Sequence, residues 1–281
     1  MAMAATSLAP ALRAQTAHIN VGLELYSFRE AIKSDLPGTL AKARAMGFDH
    51  VEAGSDFYGQ SAAEFKKTLD TAGLHATSFH FQYDEFKDMD KVRRTLDTFG
   101  AKWACLAWIP HNANVFAASD AQRAIDDFNT WGPALAKSGH GFGYHAHGYE
   151  FGWKNGKPVD VRDTLFHRIV SSTDPATVKF EMDTFWIVVP GQSCEHLLET
   201  YPGRWRLMHL KDLRKGAPIG NQQGRAKDSD SVPVGAGVIE WDKVLPLARE
   251  QGVEEYFLED ESPAAMEQAP VSLKYLNARS W

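Results

Sequence analysis

The feature that most constrains this chain is a recurring punctuation. A helical pattern closes on glycine, and a β-rich run follows at once. It reads Met46-Gly47-Phe48, Ala72-Gly73-Leu74, Phe99-Gly100-Ala101 and Gln251-Gly252-Val253. Glycine is the usual residue just past a helix end, so each instance marks a helix stop before a strand. Repetition of the mark is how an array of βα units looks in sequence.

The periodicity predicts strands at 20–25, 50–52, 75–79, 103–107, 141–145, 178–182, 206–209 and 256–259. Helical patterns lie between them at 36–46, 61–72, 88–99, 118–138, 162–171, 194–200 and 241–251, with 263–276 last. Such alternation gives a parallel sheet. An open doubly wound sheet more often carries a glycine-rich phosphate loop after its first strand. Here Tyr26-Ser27-Phe28-Arg29-Glu30 follows instead. The expectation is a closed α/β barrel of the (β/α)8 type. The chain's 281 residues suit one such barrel, expected over residues 18–281.

Residues 1–17 read differently. They are alanine-rich and lack an acidic residue, like the tail of an export signal or a disordered leader. An exported, periplasmic location is the expectation if that reading holds, and a cytoplasmic one otherwise. No apolar run approaches the length of a membrane span. The two cysteines, Cys105 and Cys194, fit no disulfide or metal spacing and are expected as free thiols. A net charge of −6 argues against a nucleic-acid partner.

Four strand-like runs deliver metal-competent side chains at their C-terminal ends, where a parallel barrel carries its chemistry. The run 141–145 leads into Tyr144-His145-Ala146-His147-Gly148-Tyr149-Glu150-Phe151, and the next three reach Asp183, His209 and Glu259. Glu150, Asp183, His209 and Glu259 together make a hard, mostly oxygen donor set. It suits one divalent ion, Mn2+ first, with Mg2+, Co2+ or Zn2+ as alternatives. Such an ion polarises a carbonyl and acidifies the neighbouring C–H. A carboxylate or imidazole beside it, Glu150 or Glu259 among them, can move the proton. Glu52 and His80 end the second and third strands and are candidate substrate contacts. Trp108, Trp186 and Trp241 are candidate platforms for the apolar face of a substrate ring. The polar segment 214–234 is long for a connector and is expected beside the site.

These motifs resemble the sugar phosphate isomerase/epimerase superfamily of xylose-isomerase-like barrels. The resemblance runs from Gly22-Leu23-Glu24-Leu25-Tyr26-Ser27-Phe28-Arg29 through Tyr144-His145-Ala146-His147 with Glu150-Phe151. It continues in His209-Leu210-Lys211-Asp212, Val234-Gly235-Ala236-Gly237 and Leu258-Glu259-Asp260. The YHxHxxEF pattern is similar to that of one subgroup. The resemblance implies one divalent metal held by Glu, Asp, His and Glu from the last four strands. Glu150 is the expected first ligand, with His145 the alternative because it stands where the family's strand five ends in Glu. It also implies a sugar isomerase or epimerase that abstracts a proton beside the carbonyl of a keto sugar. The alternative is a lyase that eliminates the β-substituent of a 3-keto sugar or 3-keto glycoside. His145 and His147, two apart and so on one side of an extended strand, would be base and substrate contact. Lys211 would stabilise the oxyanion. An endonuclease IV-like phosphodiesterase and a non-catalytic sugar-binding barrel are the readings from other classes. The partners expected are a small-molecule sugar, no nucleic acid and no membrane, with a homodimer possible for barrels of this kind.

Overall fold

The structure, a computed structural model, describes residues 18–112, 115–154 and 157–281. The leader expected over residues 1–17 lies outside the described residues.

Eight parallel strands close a barrel: β1 (Gly22–Glu24), β2 (His50–Gly54), β3 (His75–Phe81), β4 (Trp103–Leu106), β5 (Gly141–Ala146), β6 (Val178–Asp183), β7 (Trp205–Leu210) and β8 (Glu255–Leu258). Each pairs with its sequence neighbours, and β1 closes the ring by pairing Gly22 with Phe257 and Leu23 with Leu258. This is a (β/α)8 barrel. Helices α1 (Leu36–Met46), α2 (Ala62–Ala72), α3 (Met89–Phe99), α4 (Ala118–Ala136), α5 (Leu165–Ser172), α6 (Cys194–Thr200), α7 (Trp241–Glu250) and α8 (Ala265–Asn277) follow the eight strands in turn. Ser61 and Glu64 form a reciprocal capping box at the start of α2, satisfying donors that the first turn leaves free. Gly47, Gly73 and Gly100 end α1, α2 and α3 in the left-handed conformation.

Observed and expected strands agree within a residue or two. The differences lie in the loops. Short helices at Arg29–Ser34 and Thr184–Val188 follow β1 and β6, and two-stranded ribbons join Trp153–Lys154 to Lys157–Pro158 and Asp212–Leu213 to Ser231–Val232. All are too short to show a period. Both cysteines are free and buried. No helix among the described residues is long and apolar enough to cross a membrane.

The main apolar core fills the space between strands and helices. Inside the ring the side chains come in layers, because alternate residues of a strand face inward. Trp103, Cys105, Leu207 and Phe257 form a separate apolar floor. Two residues further on stand His209 on β7 and Glu259 just past β8. The same step gives Glu181 then Asp183 on β6, and His145 on β5 then His147 just beyond it. A charged layer therefore sits directly on the apolar floor.

Candidate active site

His209 is the hub of the charged layer and is fully buried. Its Nε2 faces Glu52 Oε2 at 2.6 Å and Glu181 Oε1 at 3.2 Å. Its Nδ1 faces Glu259 Oε2 at 2.8 Å and Asp183 Oδ2 at 3.9 Å. Burial opposes charge on this ring, but Glu181 and its neighbours outweigh that and hold its pKa well above the usual imidazole range. His80 lies 2.9 Å from Glu181 and 3.2 Å from Glu52. Burial disfavours its charge too, yet the two carboxylates push its pKa up to about 10. Glu181, despite burial, is held far below the usual carboxylate range by His209 and His80.

Towards the mouth the polar atoms are less complete. Asp183 Oδ1 accepts from the Trp186 amide at 3.0 Å, capping the short helix after β6. Its Oδ2 has no hydrogen-bond partner although buried, and neither has His145 Nε2, 3.6 Å away. A buried polar atom without a partner costs free energy, so two aimed at each other call for a third party between them. Asp183, His209 and Glu259 offer ligand atoms within 4.8 Å of one another. With His145 Nε2 they form a mixed imidazole–carboxylate donor set that fits a divalent cation.

Glu150 is not brought into this set. Its Oε1 accepts from the Tyr144 hydroxyl and from the His147 amide at 3.1 Å. The Tyr144 hydroxyl oxygen also lies 2.9 Å from the Tyr149 hydroxyl, which accepts from the Ile109 amide. Burial raises the Glu150 pKa. The five-residue separation from His145 is spent on a turn through Gly148, whose φ is +91° and whose added Cβ would lie 2.8 Å from the Trp186 carbonyl oxygen. The turn folds Glu150 behind His147 rather than back to the strand end.

His147 stands in the wall of the cavity above the charged layer. Its ring stacks on Trp186 at 4.6 Å and meets Trp108 edge-on at 4.9 Å. Burial, with the charges of His145 and Lys211, holds its pKa well below the usual imidazole range, so it is neutral. The segment 214–234 does lie beside the site. A Cβ on Gly224 would sit 2.9 Å from His147 Cδ2.

Lys211 takes a different place from the one its motif suggests. Its Nζ pairs closely with Glu261 and lies 3.4 Å from Glu259 and 3.6 Å from Asp183. It is buried and outside the cavity lining. Burial opposes its charge, but Glu259 and Glu261 raise its pKa further. Lys211 thus holds the mouth carboxylates in place. Its neighbour Asp212 accepts instead from the amides of Gly235, Gly237 and Ile239 and from Trp241 Nε1. That fixes Trp241 as a buried anchor of the loop. Glu52 is fully buried behind His209, whereas His80, Trp108 and Trp186 line the cavity.

Sequence reasoning missed Glu24, Glu181 and Glu261. Glu24 ends β1 and is buried in the cavity wall. Glu181 had a usable signal, since it stands two residues before Asp183 on one strand and so faces the same way.

The fold and this layer of histidines and carboxylates define a class, the barrels that set polar chemistry on the C-terminal ends of parallel strands. Residues 40–279 match the family described as Xylose isomerase-like TIM barrel, and the chain belongs to that family. Among its relatives is an inosose dehydratase of Bacillus anthracis, 24% identical over an alignment of 239 positions that covers 75% of this chain and 77% of that one. The fold is similar to the crystal structure of a sugar phosphate isomerase/epimerase from Parabacteroides distasonis, with a TM-score of 0.72, 23% identity and coverage of 95% and 96% of the two chains. It is also similar to the IOLI protein solved with a bound zinc atom, with a TM-score of 0.66, 14% identity and coverage of 92% and 97%.

Proposed function

We propose that this protein is a divalent-metal-dependent enzyme that removes the proton beside the carbonyl of a keto sugar and eliminates the substituent at the β-carbon. The observation that carries the reading is the pair of buried atoms without a hydrogen bond, His145 Nε2 and Asp183 Oδ2, beside His209 and Glu259 under a cavity walled by His147. His145, Asp183, His209 and Glu259 would hold the ion, Mn2+ first among the candidates. When bound, it supplies a Lewis acid that polarises the substrate carbonyl.

The chain's own residues do the rest. Trp108 and Trp186 hold the neutral His147 ring in the cavity wall, where it accepts the proton from the carbon next to the ketone. The electron pair of that C–H bond becomes the new C=C bond, and the C–O bond at the β-carbon breaks. The departing oxygen takes the proton back from His147, so the products are an unsaturated ketone and water or an alcohol. Glu150 fixes the backbone of His147 and so orients the base. Lys211 keeps Glu259 ionised and lies 3.6 Å from Asp183, holding both carboxylates in register. The elimination reading draws support from the dehydratase relative.

Isomerisation or epimerisation from the same first step is the second reading. It needs a donor facing the substrate from elsewhere in the site, and Glu259 and Glu261 both line the cavity.

The test is an assay with added Mn2+ against free keto sugars and 3-keto glycosides, followed by NMR in D2O. Loss of the β-substituent with appearance of the unsaturated ketone supports elimination. Deuterium beside the ketone with an inverted centre or moved carbonyl points to the second reading. Neither product nor exchange from metal-loaded protein with any of these substrates refutes both.

A further inference from the structure

The cavity is too large and too lopsided for one sugar ring. Its volume is about 1250 Å3, beyond the ~300–1,000 Å3 that usually holds a drug-sized ligand. The reacting residues occupy one side of it. In a ring of eight strands β2 lies opposite β6, and β3 opposite β7. The loops after β1, β2 and β3 therefore face His145, Asp183 and His209 across the mouth, and their residues make up much of the remaining wall.

Two aromatic rings stand on that far wall. Tyr26, just past β1, is 51% exposed and lines the cavity, with the Arg29 guanidinium packed 4.6 Å from its ring centroid. Tyr58, in the loop after β2, lines it too. Tyr58 and the preceding Phe57 have φ of +55° and +51°. Two adjacent non-glycine residues in the left-handed region are rare, and such strain persists only when the surroundings over-determine it. Phe57 is anchored among Phe65, Phe79 and Phe99. Tyr58 packs on Phe65, and its hydroxyl accepts from the Gly54 amide at 3.1 Å. The core thus sustains a costly backbone whose result is an aromatic ring set on the cavity wall.

From this we infer that the substrate has two parts, a keto-sugar ring over the charged layer and a second ring, aryl or pyranose, linked to it and seated against Tyr26 and Tyr58. The inference rests on the proposed chemistry for the first part only. The second ring presents a flat apolar face, which an aromatic side chain recognises by stacking.

The test compares 3-keto-glucose with p-nitrophenyl 3-keto-glucoside, both anomers, on Mn2+-loaded wild type, Tyr26→Ala and Tyr58→Asn. Asparagine tolerates the left-handed backbone, and Tyr26 is exposed enough to be removed without unfolding the chain. The wild type should favour the aryl compound in kcat/KM. The ratio of kcat/KM for aryl compound to free sugar should fall roughly tenfold in each variant. Saturation-transfer NMR with p-nitrophenyl glucoside, which has no ketone and cannot react, should show aromatic-proton contact with wild type that weakens in both variants. An unchanged ratio, or no aromatic contact in wild type, overturns the second subsite. Contact that weakens in the variants, with neither product nor deuterium exchange from either keto compound, upholds the subsite and refutes the chemistry instead.

Discussion

His209 Nε2 lies 2.6 Å from Glu52 Oε2, and both residues are fully buried. The contact fixes which way the ring faces. With Nε2 committed to Glu52 and Glu181, Nδ1 is left for the mouth, where Asp183 and Glu259 wait. A carboxylate behind a ligating histidine sets its tautomer and raises its basicity. Glu52→Gln should therefore weaken Mn2+ binding by about 10- to 100-fold while the fold survives. Calorimetric titration with Mn2+ measures this, and an unaltered affinity would remove Glu52 from the role.

The two candidates for the first ligand separate cleanly. His145→Ala should take bound metal from about one ion per chain to well below that, whereas Glu150→Gln should leave the stoichiometry alone. Elemental analysis after dialysis against Mn2+ gives the answer. Metal retained by His145→Ala and lost by Glu150→Gln would reverse the assignment.

His147→Ala should keep metal and lose about a hundred- to ten-thousandfold in kcat, the range a positioned base contributes. Glu150→Gln should show a milder loss in kcat with metal retained, because its carboxylate acts through the His147 backbone. Equal and complete loss of metal in both variants would contradict the separation of roles.

Asp212 gathers four donors with one carboxylate. Asp212→Ala strands them, and at about 1.5–3 kcal/mol for a hydrogen bond to a charged group the loss should reach about 3 kcal/mol or more. Urea unfolding measures it. A loss under about 1 kcal/mol would mean that water or a rearranged loop satisfies the donors.

Glu85 supplies a pH test away from the charged layer. Its carboxylate accepts from Ser55 Oγ at 2.5 Å and from the Gln82 amide at 2.9 Å, and pairs with Lys91 at 3.0 Å. Burial opposes its ionisation, but these partners outweigh it and lower its pKa from 4.5. A depressed folded-state pKa gives stability that is present above the unfolded value and lost as pH falls through the folded one. Glu85→Gln should cost about 1–2 kcal/mol near neutral pH, with the difference from wild type shrinking below about pH 4.5. A difference that does not change with pH would place the effect in packing rather than charge.

The sequence by itself determined the barrel. The glycine stops and the alternating patterns are local signals, each read within one βα unit, and their order forces a parallel sheet. The strand ends at Asp183, His209 and Glu259 were legible for the same reason, since a strand's C-terminal end is a property of the strand. What only the tertiary structure decided is how side chains from different strands meet. The inward row of Glu24, Glu52, His80 and Glu181 forms a layer only when the ring closes and stacks it on Trp103, Cys105, Leu207 and Phe257. Glu150 looked like a ligand by its nearness in sequence to His145, and the turn at Gly148 carried it to Tyr144 instead. Lys211 looked like an oxyanion contact by its motif, and its ammonium pairs with Glu261 and Glu259, which another strand end brings to it. Spacing along a chain fixes which face a residue takes, while a charge finds its partner only across the closed barrel.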